Sequence, residues 1–161
     1  MKSCVFPGAF DPFTLGHLDI VTRALKIFDR VVIGVAESGG KSCMFSLPER
    51  TEIVKAAVKG FAPARVPVAP FSNLLVDFCK AQKVNTVVRG LRTASDLEYE
   101  NMLSAVYKIQ DDTIETVYFL NSQELSHIHS NMVRDLLRYK GDISRFVPAE
   151  SVKVIARLRE R

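Results

Sequence analysis

The sequence FPGAFDPFTLGH, residues 6–17, lies between a short apolar run and an amphipathic one. The run at 3–6 is typical of a buried strand, and apolar residues recur at helical spacing from 18 to 28. Thr14 is well placed as the N-cap of that helix, which puts His17 in its first turn. Because a helix N-terminus presents unpaired N–H groups and the positive end of a dipole, we predict a phosphate site here.

Two glycines in this segment, Gly8 and Gly16, carry no Cβ and let a ligand approach the backbone closely. The same loop also fits an ordinary connection between a strand and a helix. A single histidine is, moreover, more often a structural or surface residue than a functional one. Signals elsewhere in the sequence are needed to distinguish a phosphate site from an ordinary connection.

Composition and charge limit the classes of protein that this chain can belong to. Its 161 residues are 47% apolar and 25% charged, which predicts one globular domain over 1–161 with a sizeable core. No apolar run is long enough to span a bilayer, and 1–4 lead directly into a strand without the apolar segment of a signal peptide. The three cysteines have no metal-ligand spacing, which indicates reduced thiols in a cytoplasmic protein.

The formal charge of +4 suits anionic ligands. A nucleic-acid ligand is not favoured, because the basic residues are scattered and form no dense run. The basic residues near the C-terminus are better explained as the solvated face of a helix.

Strands and helices alternate along the chain. Further strands are predicted at 30–36, 65–70, 86–89 and 116–120, and further helices at 46–58, 74–82, 95–110, 130–139 and 149–159. In the long helix we expect Met102, Val106 and Ile109 to face inward, and we expect Gly141 to end the helix that Ser130 or Asn131 caps. This order predicts an α/β fold, a doubly wound sheet of about five parallel strands with helices on both faces and C-terminal helices.

The residues with the strongest chemical signals follow the C-terminal ends of predicted strands. They are the segments 8–17, 89–92 and 126–131, and Lys41. In open parallel sheets, ligands bind outside the carboxyl ends of the strands. We therefore expect these segments to meet at one edge of the sheet.

Arg89 and Arg92 are planar cations with several donors, and such groups suit phosphate oxygens. The alternative is an exposed pair bonded to Asp96 or Glu98. Because Arg89 directly ends an apolar strand, the ligand role is favoured.

Lys41 lies beside glycines, where it is equally well explained as a cation that closes over an anion or as a solvated lysine. Glu100 could accept hydrogen bonds from a ribose or hold a metal-bound water, but its spacing favours a helix-surface carboxylate paired with a basic neighbour. His17 with several cations and no protein nucleophile suits direct phosphoryl or nucleotidyl transfer. No carboxylate cluster forms a metal cage, so Mg²⁺, if used, would be held mainly by substrate phosphates.

Two signatures resemble those of the nucleotidyltransferase superfamily of Rossmann-like proteins. TLGH at 14–17 is similar to TxGH/HxGH, and IHSNMVR at 128–134 is similar to ISSTxVR. Further segments resemble the bacterial phosphopantetheine adenylyltransferase family, collinearly over essentially the whole chain: PGAFDP at 7–12, Lys41 ahead of Met44 and Phe45, FSNLL at 71–75, RGLR at 89–92 and DLEYE at 96–100.

The resemblance implies transfer of AMP from ATP to 4′-phosphopantetheine, which gives dephospho-CoA and pyrophosphate in coenzyme A biosynthesis. The pantetheine phosphate would attack the α-phosphate directly and in line, without a covalent enzyme intermediate. The resemblance also implies a Mg²⁺ cofactor, a homohexamer and feedback inhibition by CoA.

The same resemblance implies roles for individual residues. His17 would stabilise the transition state. The phosphopantetheine site would comprise Ala9, Lys41, Leu75 and Arg89. The ATP site would comprise Gly8, Ala9, Phe10, His17, Gly90, Leu91, Arg92, Glu100, Leu125, Ser126, His127, Ile128, His129, Ser130 and Asn131.

The chain departs from the family pattern at three positions. Ala9 stands where threonine is usual, Asn73 where aspartate is common, and His129 in a serine-rich run. Backbone N–H contacts would survive these changes, and serine and asparagine at 130–131 can still bond phosphate.

Three alternatives stay open. One is another nucleotidyltransferase, such as a cytidylyltransferase or a nicotinate-nucleotide adenylyltransferase, against which the RGLR segment argues. The second is a non-catalytic module that senses ATP or CoA. The third is a nucleic-acid binder, which would show steep salt dependence.

Overall fold

A computed structural model describes residues 1–39 and 42–160 of the chain. Its strands are β1 (Ser3–Gly8), β2 (Arg30–Ala36), β3 (Val68–Phe71), β4 (Thr86–Leu91) and β5 (Glu115–Leu120). Its α-helices are α1 (Leu15–Ala24), α2 (Leu47–Ala57), α3 (Leu75–Gln82), α4 (Ala94–Gln110), α5 (Ser130–Arg138) and α6 (Ala149–Arg159). A short 3₁₀ helix, Gln123–Leu125, follows β5. None of the described helices is long and apolar enough to cross a membrane.

The five strands form one parallel sheet in the order β3-β2-β1-β4-β5. The chain builds outward from β1 to one side, then returns to its other side with β4, so the order reverses between β1 and β4. A crevice opens at such a switch point, outside the carboxyl ends of the strands. The predicted α/β class and the predicted number of strands are confirmed.

Side chains of successive strand residues alternate between two apolar clusters. Cys4 and Phe6 of β1 pack with α1, α2, α5 and α6 on one face of the sheet, whereas Val5 packs with α3 on the other. Because both faces are covered, the central strands are continuous apolar runs rather than alternating ones.

The structure shortens one predicted strand. β3 begins at Val68 rather than at 65, although the carbonyls of Arg65 and Pro67 already accept hydrogen bonds from β2. Pro67 has no N–H to return, so the ladder is completed only beyond it.

The predicted inward face of α4 is wrong. Met102, Val106 and Ile109 are 55%, 44% and 86% exposed, whereas Glu100 is buried. The reason is that the inner side of α4 is held by polar contacts, among them a 3.0 Å hydrogen bond between the hydroxyls of Ser104 and Thr116. The apolar stripe of α4 therefore lies on the surface of this chain.

The ends of α5 also differ from the prediction. Its N-cap is His129, whose Nδ1 accepts a hydrogen bond from the N–H of Met132 at 3.3 Å. At the other end Lys140 adopts the left-handed conformation, with φ of 56°, and the N–H of Gly141 bonds the carbonyl of Leu136. The helix thus stops where expected, but through a lysine rather than a glycine.

Candidate active site

A cavity of about 340 Å³ opens at the switch point, between the carboxyl ends of β1 and β4, the start of α1 and the segment 128–134. Twelve residues predicted from the sequence line it. They are Gly8, Ala9, Phe10, His17, Arg89, Gly90, Arg92, Glu100, Ile128, His129, Ser130 and Asn131. Residues from three segments that are distant in the sequence, 8–17, 89–92 and 128–131, therefore meet at one edge of the sheet, as expected from the positions of their strands.

Other predicted residues do not line this cavity. Leu91 is buried at the end of β4, and Leu125, Ser126 and His127 lie in and just after the 3₁₀ helix. Leu75 begins α3 and packs against the Val5 side of the core. Lys41 lies outside the described residues.

Leu75 is nevertheless close in sequence to a second cavity, at the carboxyl ends of β2 and β3. Phe71, Ser72 and Asn73 line this space of about 400 Å³ together with Glu37. The amide of Asn73, one of the departures from the family pattern, is therefore placed at a cavity wall.

His17 occupies the first turn of α1 in a reciprocal capping arrangement with Thr14. The backbone N–H of Thr14 donates to Nδ1 of His17 at 3.0 Å, and the N–H of His17 donates to the Thr14 hydroxyl. Because Nδ1 accepts a hydrogen bond, the proton of the neutral ring must be on Nε2. Local capping thus gives the cavity a histidine whose Nε2–H is a donor.

The His17 ring lies among three aromatic rings. Its centroid is 5.0 Å from Phe10, 5.2 Å from Phe13 and 6.2 Å from Phe6. Burial, and then the positive charges of Arg92 and Arg89, lower the pKa of His17 to about 3. The imidazole is consequently neutral near pH 7, suited to donating a hydrogen bond and unsuited to taking up a proton.

Gly8 makes this packing possible. A Cβ at position 8 would lie 2.8 Å from the ring of Phe10. From the sequence, Gly8 was predicted to let a ligand approach the backbone. In the structure it also leaves room for the Phe10 ring that packs against His17.

Arg89 and Glu100 form a bidentate pair at the floor of the cavity. Nε and Nη2 of Arg89 donate to the two carboxylate oxygens at 2.8 and 2.6 Å, and Nη1 donates to the carbonyl of Pro7 at 2.6 Å. Burial alone would lower the pKa of Arg89, but the bonds and the charge of Glu100 raise it above its usual value. Glu100 does pair with a basic neighbour, but in a buried position rather than on a helix surface.

Arg92 lies beside the cavity and pairs with Asp96, with 3.5 Å between Nε and Oδ2. Burial of Asp96 would raise its pKa, but hydrogen bonds from the backbone N–H groups of Arg92 and Thr93 and the Arg92 charge lower it overall. The sequence left two interpretations of Arg92, a ligand-binding cation or a partner of an acidic residue. In the structure Arg92 both lines the cavity and pairs with Asp96.

The second signature, at 128–134, is hydrogen-bonded to the loop that precedes α1. The hydroxyl of Ser130 donates to the carbonyl of Pro12 at 2.8 Å, and Nη1 of Arg134 donates to the carbonyl of Asp11 at 2.6 Å. Arg134 also donates to the side-chain oxygen of Asn131. The loop at 11–12 and the start of α5 are therefore held together as two walls of one cavity.

Sequence reasoning assigned no site role to several cavity residues. They include Ile20, Asp96, Tyr99, Asn121 and Arg134. Asn121 directly follows the end of β5, so the rule that placed Arg92 after β4 could have identified it. Arg134 belongs to the second signature, which carried the only available signal.

A neutral histidine donor at a helix N-terminus, beside two guanidinium groups at a switch point, is chemically suited to phosphates. Residues 5–136 match the Cytidylyltransferase-like family. The fold is similar to the crystal structure of a protein assigned as a nicotinate-nucleotide adenylyltransferase from Vibrio parahaemolyticus. The TM-score is 0.71, the two sequences are 19% identical, and the match covers 99% of this chain and 94% of that one. The fold and site thus define a member of the cytidylyltransferase-like nucleotidyltransferases.

Closer relatives specify the group within this class. The chain is 46% identical over 149 residues to the phosphopantetheine adenylyltransferase of Campylobacter curvus, covering 92% of this chain and 94% of the relative. It is 47% identical over 152 residues to that of Campylobacter concisus, covering 94% and 96%. The chain belongs to the phosphopantetheine adenylyltransferase family.

Proposed function

We propose that this protein transfers AMP from ATP to 4′-phosphopantetheine, with release of pyrophosphate and formation of dephospho-CoA, a step of coenzyme A biosynthesis. The observation that carries the proposal is the His17 Nε2–H donor in one cavity with Arg89 and Arg92, in a chain that belongs to this family. The cavity combines phosphate-binding cations with a group able to follow charge in a transition state.

ATP would lie with its phosphates at the N-terminus of α1, where His17, the loop at 8–10 and Arg92 converge. The start of α5 and Gly90 would border the nucleoside. A Cβ at Gly90 would lie 3.1 Å from the Asn121 side-chain oxygen, so the glycine keeps this part of the cavity open. Arg89, deeper in the cavity and fixed by Glu100, would face the acceptor phosphate.

The chemistry needs no general base from the protein. A phosphate monoester is largely dianionic at pH 7, so the attacking oxygen of the acceptor is already deprotonated. His17 has a pKa of about 3, and its Nδ1 lone pair is occupied by Thr14, so it cannot serve as a base near neutral pH. Its Nε2–H would instead donate to an α-phosphate oxygen as charge accumulates during in-line displacement.

Mg²⁺ is part of this proposal as a cofactor held by the nucleotide. No group of three or more histidine, cysteine, aspartate or glutamate side chains suited to a metal occurs in 1–39 and 42–160. Glu100 is paired with Arg89, Asp96 with Arg92, and the Asp11 carboxylate accepts the N–H groups of Met44 and Phe45. Because these carboxylates already have partners, the ion would be ligated mainly by phosphate oxygens and water. It would neutralise phosphate charge.

A homohexamer is supported by the apolar stripe on α4. Met102, Val106 and Ile109 are spaced along one exposed face, and Leu120 at the end of β5 is 70% exposed. Exposed apolar surface of this kind is common at protein interfaces. Feedback inhibition by CoA follows from its chemistry, since CoA carries both the adenylyl and the pantetheine portions of the product.

A cytoplasmic location is supported by the three free thiols.

A pyrophosphate-release assay tests the reaction directly. With ATP and 4′-phosphopantetheine together we expect pyrophosphate and dephospho-CoA in equal amounts, and with either substrate alone neither product. A panel with CTP in place of ATP, or nicotinate mononucleotide in place of 4′-phosphopantetheine, separates this function from those of other members of the class. Turnover only with CTP or only with nicotinate mononucleotide, and none with ATP and 4′-phosphopantetheine, would refute the proposal.

A further inference from the structure

Arg50, which belongs to no sequence signature, is a buried cation next to the phosphate cavity. It lies in the first turn of α2 and is 2% exposed. Among residues 1–39 and 42–160, no carboxylate lies within 4.0 Å of its guanidinium group, by contrast with Arg89 and Arg92. Burying a charge without a counter-ion costs stability, so the contacts that hold this side chain are informative.

All of its hydrogen bonds to described residues go to backbone carbonyls of three separate segments. Nη1 donates to the carbonyl of Ala9 at 2.6 Å and to that of Ala36 at 2.7 Å. Nε donates to the carbonyl of Phe45 at 3.1 Å. One side chain therefore joins the loop after β1, the end of β2 and the segment before α2.

The bond to Ala9 fixes the orientation of one peptide group. Ala9 and Phe10 both line the cavity, whereas Arg50 does not. In a trans peptide the carbonyl and the following N–H point in opposite directions. With the Ala9 carbonyl held toward Arg50, the N–H of Phe10 is directed away from Arg50, which does not line the cavity.

Phe10 needs such support, because its φ of 51° is in the left-handed region, which a bulky side chain rarely adopts. A strained residue persists only when its surroundings determine its conformation. Arg50 holds the peptide before Phe10, and the Asp11 carboxylate after it accepts the N–H groups of Met44 and Phe45 at 2.8 and 3.0 Å. The strained residue is thus fixed from both sides.

We propose that Arg50 is a positioning residue that turns the Ala9–Phe10 peptide so that the N–H of Phe10 binds a phosphate oxygen of the nucleoside triphosphate. The inference rests on the proposed function, because it requires ATP in this cavity. Arg50 does not touch the substrate and acts only through the backbone.

The test combines an amide signal with an affinity. ¹⁵N TROSY spectra follow the Phe10 amide as ATP is added without acceptor, and calorimetry gives the Kd of ATP. In the wild type we expect the Phe10 amide proton to move downfield, as it does on bonding to an anion. In Arg50→Met we expect this shift to be lost and ATP to bind about tenfold or more weakly, as for loss of one hydrogen bond to a charged group.

Arg65→Met is the matched control. Arg65 also donates to two backbone carbonyls, those of Asp29 and Leu25, but at the opposite end of the sheet. We expect that variant to keep the Phe10 shift and the ATP affinity. If Arg50→Met does not fold, Arg50→Gln decides, because the glutamine amide nitrogen ends near the position of Nε, two bonds short of Nη1. It cannot bond the Ala9 carbonyl and should also lose the shift.

The outcomes separate this inference from the proposed function. A wild-type protein that does not bind ATP refutes both. A wild-type protein that binds ATP, with the same Phe10 shift and affinity in the folded Arg50 variant, overturns the positioning role alone.

Discussion

The backbone N–H of Thr14 donates a hydrogen bond to Nδ1 of His17 across 3.0 Å, and this single bond determines what the histidine can do. The bond occupies the lone pair of Nδ1 and leaves the proton of the neutral ring on Nε2. A helix cap, normally a device of local stability, thus also selects the tautomer of the candidate catalytic residue.

Replacement of His17 tests this assignment. We expect His17→Ala to bind ATP with near wild-type affinity but to lose about a hundredfold or more in turnover, because the lost donor acts mainly in the transition state. His17→Gln, whose side-chain amide keeps an N–H, should retain more activity than His17→Ala. Values of kcat from pyrophosphate release and the Kd of ATP from calorimetry give the comparison. Equal turnover in wild type and His17→Ala would remove His17 from the mechanism.

The lowered pKa of His17 predicts a pH dependence of stability. The folded-state pKa of about 3 is below the ordinary value of 6.5, so between these pH values the unfolded chain binds a proton that the folded chain does not. The free energy of unfolding should therefore fall as pH decreases below about 6.5, by up to about 1.4 kcal/mol per pH unit from this residue.

Chemical denaturation at pH 7 and pH 5, at one protein concentration, measures this decline. In His17→Gln the part due to His17 should disappear, whereas His127→Gln, which alters an exposed histidine, should leave the decline as in the wild type. An identical decline in wild type and His17→Gln would contradict a ring that stays neutral in the folded protein.

The Arg89–Glu100 pair predicts a contrast between a buried and an exposed carboxylate. Glu100→Gln leaves the Arg89 charge without its partner in a largely buried position, and we expect a loss of about 1–3 kcal/mol in the free energy of unfolding. The matched substitution is Glu115→Gln, which breaks a similarly short but exposed pair with Lys108, at 2.8 Å.

Because water screens that surface pair, Glu115→Gln should leave stability essentially unchanged. Glu100→Gln should also weaken binding of the acceptor, since Arg89 loses its fixed orientation. Denaturation curves and the KM for 4′-phosphopantetheine are the measurements, and equal stability of the two variants would argue against the buried pair as a structural contact.

The apolar stripe on α4 is the candidate interface of the proposed hexamer of 18.0 kDa chains, and one charge placed on it should dissociate the assembly. Met102→Glu should shift the mass toward smaller species, because a buried, unpaired carboxylate is costly at an interface. Ile27→Glu introduces the same charge at an exposed apolar residue outside this stripe and should leave the mass unchanged. Sedimentation velocity distinguishes these results, and an unchanged mass in Met102→Glu would place the interface elsewhere.

Much of the site could be predicted because its residues lie where local patterns are strong. Pro7 and Gly8 end the apolar strand β1, Thr14 stands directly before the amphipathic α1, and the two arginines lie at the end of the apolar strand β4. Arg50 had no such signal, since its importance depends on three carbonyls contributed by distant segments. The face of α4 was predicted wrongly for a related reason: periodicity identifies an apolar stripe but not whether this chain or another covers it.

The sequence by itself determined the order of strands and helices, the cap of α1 and the edge of the sheet at which ligands bind. These depend on contacts between near neighbours in the chain and on the regular alternation of polar and apolar residues. Only the tertiary structure decided that Glu100 is the partner of Arg89, that His17 is enclosed by aromatic rings, and that Arg50 holds the Ala9 carbonyl. Such relationships depend on distances between remote segments, which become defined only when the sheet and its helices are packed together.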